Sequence, residues 1–271
     1  MNNIQTPIAF SGDIPKFYDA YLGPMFFEPY AQDMAHRIGK ISPSNILELA
    51  CGTGRLSKLL PKVTSGQVEI IASDINPAMT LYAKNQVQDE HIKWMEIDAL
   101  SLPFDDESFD CVIVQFGVMF YSDRIKAFKE AQRVLKPGGT FIFNCWDEIK
   151  NNPMPSIANE ALRHFFPIDT PAFYSVPFSY YDEKTIRMNL EETGFHHIQI
   201  ELVKLTGQSA SAADASKGLI HGTPTVTAIE SLDAEKLPLI VDWIEHKVTD
   251  QFGTSTFQVP LQALVVSGTK P

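Results

Sequence analysis

Residues 45–60 read NILELACGTGRLSKLL, and the fold of the chain turns on how this stretch is parsed. Ile46 and Leu47 open an apolar run that carries Glu48 near its end. The chain then turns through Ala50, Cys51, Gly52, Thr53 and Gly54. Leu56, Leu59 and Leu60 follow at the spacing of one helix face. Strand, glycine-bearing turn and helix in this order form the first βα unit of a doubly wound sheet. Gly52 and Gly54 lack Cβ, so the backbone can bend sharply and a ligand can lie against it. A helix start after such a turn offers unpaired N–H groups to a carboxylate or phosphate.

A dinucleotide fingerprint, G-x-G-x-x-G, is the first alternative for such a turn. It needs glycine at 50, 52 and 55, where this chain has Ala50, Gly52 and Arg55. The register that fits is acidic-x-small-x-Gly-x-Gly, read as Glu48, Ala50, Gly52 and Gly54. A carboxylate at the strand end repels a pyrophosphate and attracts an ammonium group.

With those residues in place, the segment resembles motif I of the class I S-adenosylmethionine-dependent methyltransferases. Asp74, Asp98-Ala99 and the later Leu135-Lys136-Pro137-Gly138-Gly139 fall where that family has its other marks. The nearest likeness is to the ubiquinone/menaquinone-biosynthesis-like small-molecule methyltransferases of the type 11 group, strong over residues 40–145 and looser on the flanks. That family usually has Gly where this chain has Ala50. The resemblance implies an α/β, doubly wound, seven-stranded Rossmann-like sheet. Its strands are mostly parallel, with the last one antiparallel between strands 5 and 6. N-terminal helices and a helical cap insertion complete the fold.

Outward from the turn, Val68–Ser73 reads as a second strand ending at Asp74. Its distance from Gly54 is that at which a doubly wound fold places an acidic residue on a ribose, and a carboxylate can accept from both hydroxyls. The alternative for Asp74 is a helix cap before Asn76-Pro77. Met79, early in the helix 78–86, suits either an adenine face or the core, and Ile75 adjoins the same site. Residues 92–96 form strand 3. In the resembled enzymes the Asp at the position of Asp98 accepts from the adenine amino group, and a backbone N–H at Ala99 meets the ring. A solvated loop Asp is the other reading.

Strand 4, Cys111–Gln115, is almost continuously apolar, as a buried parallel strand should be. Its carboxyl end places Gln115 and Phe116 at the cofactor, with Met119, Phe120 and Tyr121 at the acceptor. A helix over 125–135 ends at Pro137-Gly138-Gly139 and turns into strand 5, residues 140–145, followed by Trp146.

Upstream, Ile14–Leu22 and Met25–Ile38 have helical spacing, and Pro24 predicts a break between two helices. Their aromatics pack the core or place Tyr18 on the cofactor and Tyr21 on the acceptor. Downstream, residues 155–166 predict a helix. A proline- and aromatic-rich stretch, 167–181, brings Phe173 and Tyr174 over the pocket. Helices over 182–193, 212–220 and 237–252 and strands over 198–205 and 261–267 complete the reading. The organisation is one methyltransferase domain, 1–271: a helical lid at 1–40, a cofactor-binding half at 41–147, and a substrate and cap half at 148–271.

The chain has 271 residues, 44% of them hydrophobic, and a net charge of −11. Such a length supports a large core. The acidic balance argues against a nucleic-acid footprint and against an anionic membrane surface. The three cysteines, Cys51, Cys111 and Cys145, are widely spaced and read as reduced thiols in a cytoplasmic protein. No metal-ligand spacing appears, and no metal is expected. No apolar run reaches the length of a membrane span, and Met1–Phe10 lacks the basic start and apolar core of a secretory signal.

The expected activity is transfer of a methyl group from S-adenosylmethionine to a small, partly apolar molecule by in-line displacement in a closed pocket. Glu48 would hold the methionine ammonium, directly or through water, Gly52 and Gly54 would let that moiety lie on the backbone, and S-adenosylhomocysteine would be the product. His221, set in the cap, is the candidate base, beside the reading of a structural histidine. The expected partners are a small-molecule acceptor and, as an option, a second copy in a homodimer. A nicotinamide-dependent oxidoreductase and a non-catalytic S-adenosylmethionine-binding regulator are the two alternatives from other classes.

Overall fold

The strand order of the sheet reverses beside the Glu48–Gly54 turn, and that reversal creates the site. The computed structural model describes residues 10–64 and 68–271; the expectations for residues 1–9 lie outside that range. Among the described residues, seven strands pair in the order β3-β2-β1-β4-β5-β7-β6. Strands β1 (Asn45–Leu49), β2 (Glu69–Asp74), β3 (Ile92–Glu96), β4 (Phe109–Gln115) and β5 (Leu135–Trp146) run parallel. Strand β7 (Phe257–Thr269) is antiparallel to both β5 and β6 (His196–Ser209). The doubly wound, seven-stranded sheet is therefore the one expected. β1 has β2 on one side and β4 on the other, so the carboxyl ends of β1 and β4 flank a topological switch point, where such folds open a crevice.

The central strands are apolar because helices cover both faces. Ile46, Leu47, Val112, Ile113, Val114 and Phe143 are almost fully buried. The covering helices are α1 (Ile14–Phe17), α2 (Glu28–Ile41), α3 (Leu60–Val63), α4 (Pro77–Gln86) and α5 (Arg124–Val134), then α6 (Pro153–Phe165) to α10. The last four are α7 (Glu183–Glu192), α8 (Ala212–His221), α9 (Thr225–Asp233) and α10 (Lys236–Phe252). α6, α8 and α10 pack on one another.

Three local readings are corrected. Pro24 does not break the N-terminal segment. Residues Tyr18–Phe27 form a π-helix that joins α1 to α2. In the wider turn the proline ring escapes the carbonyl it would strike in an α-helix, and such turns concentrate at functional sites. The helix after the turn is not a regular one. Ser57–Leu59 is a 3-10 turn leading into the four-residue α3, so the macrodipole expected there is weak. Third, β5 starts at Leu135, ahead of Pro137-Gly138-Gly139, rather than after it, and the β4–β5 register shifts between Phe109 and Cys111.

α9 was not expected. Its sequence TVTAIESLD mixes β-branched and polar residues, and only Thr225 and Ile229 are buried. No helix among the described residues is long and apolar enough to cross a membrane.

Candidate active site

At the end of β1 the chain enters the left-handed region at Ala50 (φ 54°), and at the end of β4 it does so at Phe116 (φ 52°). Both are non-glycine residues, for which this conformation is uncommon and clusters at functional sites. Each is held by its surroundings. The N–H of Phe116 donates to Asn144 Oδ1 at 2.8 Å, and the ring stacks on Trp146 with centroids 3.9 Å apart. Ala50 faces Gly117, where a Cβ would lie 2.6 Å from the Ala50 Cβ.

The turn between them is tied to β2. Asp74 Oδ2 accepts from Gly52 N at 3.0 Å and Oδ1 from Asn76 N at 2.8 Å. Asn76, not Asp74, caps α4 by accepting from Ala78 N. Burial pushes the Asp74 carboxyl above the usual carboxylate range, against the two backbone donors. Gly52 (φ 56°) has nothing within 4 Å of the place where a Cβ would stand, so its backbone borders open space. Gly54 does different work. A Cβ there would meet Trp94, Ala83 and Val87 at 3.1–3.3 Å, which makes Gly54 a packing glycine toward β3 and α4.

Two cavities meet in this crevice. The smaller, about 310 Å³, is lined by Tyr18, Phe27, Ala50, Cys51, Gly52, Thr53, Arg55, Leu56 and Gln115. The larger, about 590 Å³, is bounded by Phe26, Phe116, Met119, Trp146, Phe173, Phe178 and others, almost all apolar. Tyr18 and Phe27 line both, stacked at 4.7 Å, and therefore form the partition. The π-helical segment thus contributes to both walls. It is tied to the turn by Arg55, which pairs with Glu28 at 2.7 Å and Asp19 at 3.0 Å, while Thr53 Oγ1 donates to Asp19 at 2.9 Å. The guanidinium lies over Gly23, where a Cβ would fall about 2 Å from it.

The structure separates the remaining candidates. Phe116, Met119, Phe120, Trp146, Phe173 and Tyr174 line the larger cavity. Tyr121 lines neither cavity, and its hydroxyl is buried with no hydrogen-bond partner among the described residues. Glu48 is 1% exposed and lines neither cavity. Its Oε2 accepts from Ser57 Oγ at 2.6 Å, and burial pushes its carboxyl up to about 8, with Asp74 adding to the rise.

Met79 and Ala99 are buried, Ile75 is 59% exposed, and Asp98 is exposed with Oδ1 accepting from Leu100 N. None of these four lines either cavity. Tyr21 stacks on Phe17 and abuts Gly218 of α8, outside both. His221 also packs on Phe17, at 5.5 Å, and burial lowers its pKa. Cys51 is buried, and its thiol is pushed well above the ordinary value by that burial and by Glu48. No group of three or more His, Cys, Asp or Glu that could hold a metal occurs among the described residues.

Sequence reasoning missed Phe26, Phe27, Phe178, Thr53, Arg55 and Asn144. Arg55 carried one signal, a lone cation inside a turn read as favouring an ammonium. The others show only once the helices are docked.

Residues 47–143 match the family model described as a methyltransferase domain. Over these residues the chain is similar to class I methyltransferase domains. Its relatives include the ubiquinone/menaquinone biosynthesis C-methyltransferase of Hahella chejuensis, 36% identical over 36% of this chain and 41% of that protein. The enzyme of the same name from Proteus mirabilis is 27% identical over 60% of this chain and 69% of its own length. The chain thus matches less than half of the first relative. Among solved structures, phosphoethanolamine N-methyltransferase 2 of Haemonchus contortus superposes with a TM-score of 0.59 at 16% identity. The match covers 95% of this chain and 57% of that one, and it establishes the common fold. The matched residues run from within β1 to most of β5, the strands whose ends border the small cavity.

Proposed function

We propose that the chain binds S-adenosylmethionine in the small cavity and transfers its methyl group to a small, apolar acceptor in the large one. The observation that carries this reading is the junction. A cavity floored by open backbone at Gly52 meets an aromatic cavity across the Tyr18–Phe27 partition. What supports the cofactor is the small cavity's own Gln115, whose Oε1 is buried with no partner among the described residues, and Asp74, which lines neither cavity but is joined to this one through Gly52 N and keeps lone pairs for a ribose. The cofactor supplies a sulfonium methyl that is already electrophilic.

The chain's task is then to hold the acceptor in line and keep water out, and positioning of this kind accounts for several kcal/mol of barrier. Met119, Phe116 and Trp146 present a dry wall beside the partition. Three polar residues of the large cavity are occupied elsewhere, which leaves the Tyr18 hydroxyl as the polar group on its wall: Asn152 bonds the main chain of Gln262 at both ends of its amide, and Tyr174 and Thr223 donate to Leu219 O. The wall therefore favours an uncharged acceptor. A quinone-related ring, as in the names of the relatives, is one such molecule. In this reading residues 14–41 serve as the lid, and the chain from α6 onward is the substrate half.

Incubation with methyl-labelled S-adenosylmethionine and a panel of apolar phenols and quinols tests the proposal. Label in an extracted product is expected. Failure of the folded chain to bind S-adenosylhomocysteine in calorimetry would overturn it.

A further inference from the structure

The acidic residue of the turn was expected to take the ammonium of the bound amino-acid moiety, yet the structure turns it away. Glu48 is 1% exposed, occupied by Ser57 and absent from the cavity wall. On that wall stands Gln115, at the end of β4. Its Nε2 donates to the carbonyl of Phe27 at 3.0 Å. A carbonyl can only accept, so this bond fixes which end of the carboxamide faces Phe27. The other end, Oε1, is buried and receives no hydrogen bond among the described residues. A buried acceptor left without a donor is costly, and most such groups are satisfied in the functional state.

A second orphan shares the wall. Arg55 Nε is also buried and has no partner among the described residues, while the two terminal nitrogens serve Glu28 and Asp19. The residues that carry one unmet acceptor and one unmet donor thus line the same small cavity, together with Ala50–Thr53, Leu56, Tyr18 and Phe27. This is the polarity pattern of an α-amino-acid zwitterion. Each orphan is met by the opposite end of such a group, and hydrogen bonds to charged partners are the stronger kind.

We infer that Gln115, rather than Glu48, receives the ammonium of the cofactor's amino-acid end, and that Arg55 Nε faces the carboxylate of the same group. The inference rests on the proposed cofactor site and refines it. It also makes Gln115 a double reader. One end of its amide senses the Phe27 carbonyl of the N-terminal segment and the other senses the ligand, so cofactor and segment are held by one side chain.

The test compares two ligands on two proteins. S-adenosylhomocysteine carries the amino-acid end, and 5′-methylthioadenosine keeps the nucleoside and sulfur without it. Both are titrated by calorimetry into wild type and into Gln115→Met, which keeps length and removes the acceptor. Loss of the Phe27 bond acts on both ligands alike, so the ratio of their affinities isolates the ammonium contact. S-adenosylhomocysteine is expected to weaken about tenfold relative to methylthioadenosine, the scale of one charged hydrogen bond. Gln115→Leu serves if the methionine variant fails to fold. An unchanged ratio with binding retained would overturn the assignment. Absence of binding by folded wild type to either ligand would instead overturn the cofactor reading itself.

Discussion

Ala50 and Gly117 occupy one another's space: a Cβ on Gly117 would stand 2.6 Å from the Ala50 Cβ and 2.7 Å from Val114. The methyl group that distinguishes this chain's turn from the usual glycine is accommodated by an absence just past the end of β4. Gly117→Ala should therefore destabilise the protein by about 1–3 kcal/mol, the range of overpacking in a close-packed interior. Ala50→Gly should relieve the left-handed strain at φ 54° and restore part of that loss in the double variant. Urea denaturation of the four proteins gives the coupling, and strict additivity would rule the pairing out.

Asp74 accepts from the Gly52 N–H, and in the proposed function it is the residue that takes the ribose. Asp74→Ala should weaken S-adenosylhomocysteine binding by about 1–3 kcal/mol, as expected for loss of hydrogen bonds to a charged group. Calorimetry reads it, and an unaltered affinity would remove Asp74 from the site.

Glu48 gives the ligand-free protein a pH dependence of known sign. Its folded carboxyl titrates near 8 against an ordinary value of 4.5. Between those values the folded chain keeps a proton that the unfolded chain has released. Its contribution is complete below about pH 4.5 and is lost as pH rises toward about 8. Glu48→Gln lacks this slope. The melting temperature of the variant should rise relative to wild type between about pH 5 and about pH 8.5, and parallel curves would contradict the burial argument.

His221 packs on Phe17 away from both cavities. His221→Ala should turn over labelled cofactor at a rate within about twofold of wild type, since a base acts only within hydrogen-bond reach. A loss of about a hundredfold or more would return it to the reaction.

The parts of the fold legible in the sequence were those written locally. The apolar strands β1, β2 and β4, the Gly52 turn, Asp74 at a strand end and the Asp182 cap of α7 all lie within short windows. What stayed hidden depends on distant residues. Pro24 signals a break in any single-sequence reading, and only the π-helical register shows how it is tolerated. Gly54 looks like Gly52 until Trp94 is seen beside it. Glu48 carries the charge that an ammonium wants, but Ser57 reaches it first. Phe26 and Phe27 are indistinguishable from core aromatics until the helix that bears them is docked over Trp146.

The grip of Arg55 on Glu28 and Asp19, with Lys58 also on Glu28, is ionic and incompletely shielded from solvent. Dissolved electrolyte screens such attractions over about 8–10 Å at ordinary concentrations. If residues 14–41 are the lid proposed above, their opening should quicken as sodium chloride is added, and trypsin cleavage within them would report it. The same protein in dilute and in concentrated brine would then admit its small molecules at different speeds, with the chemistry inside unchanged.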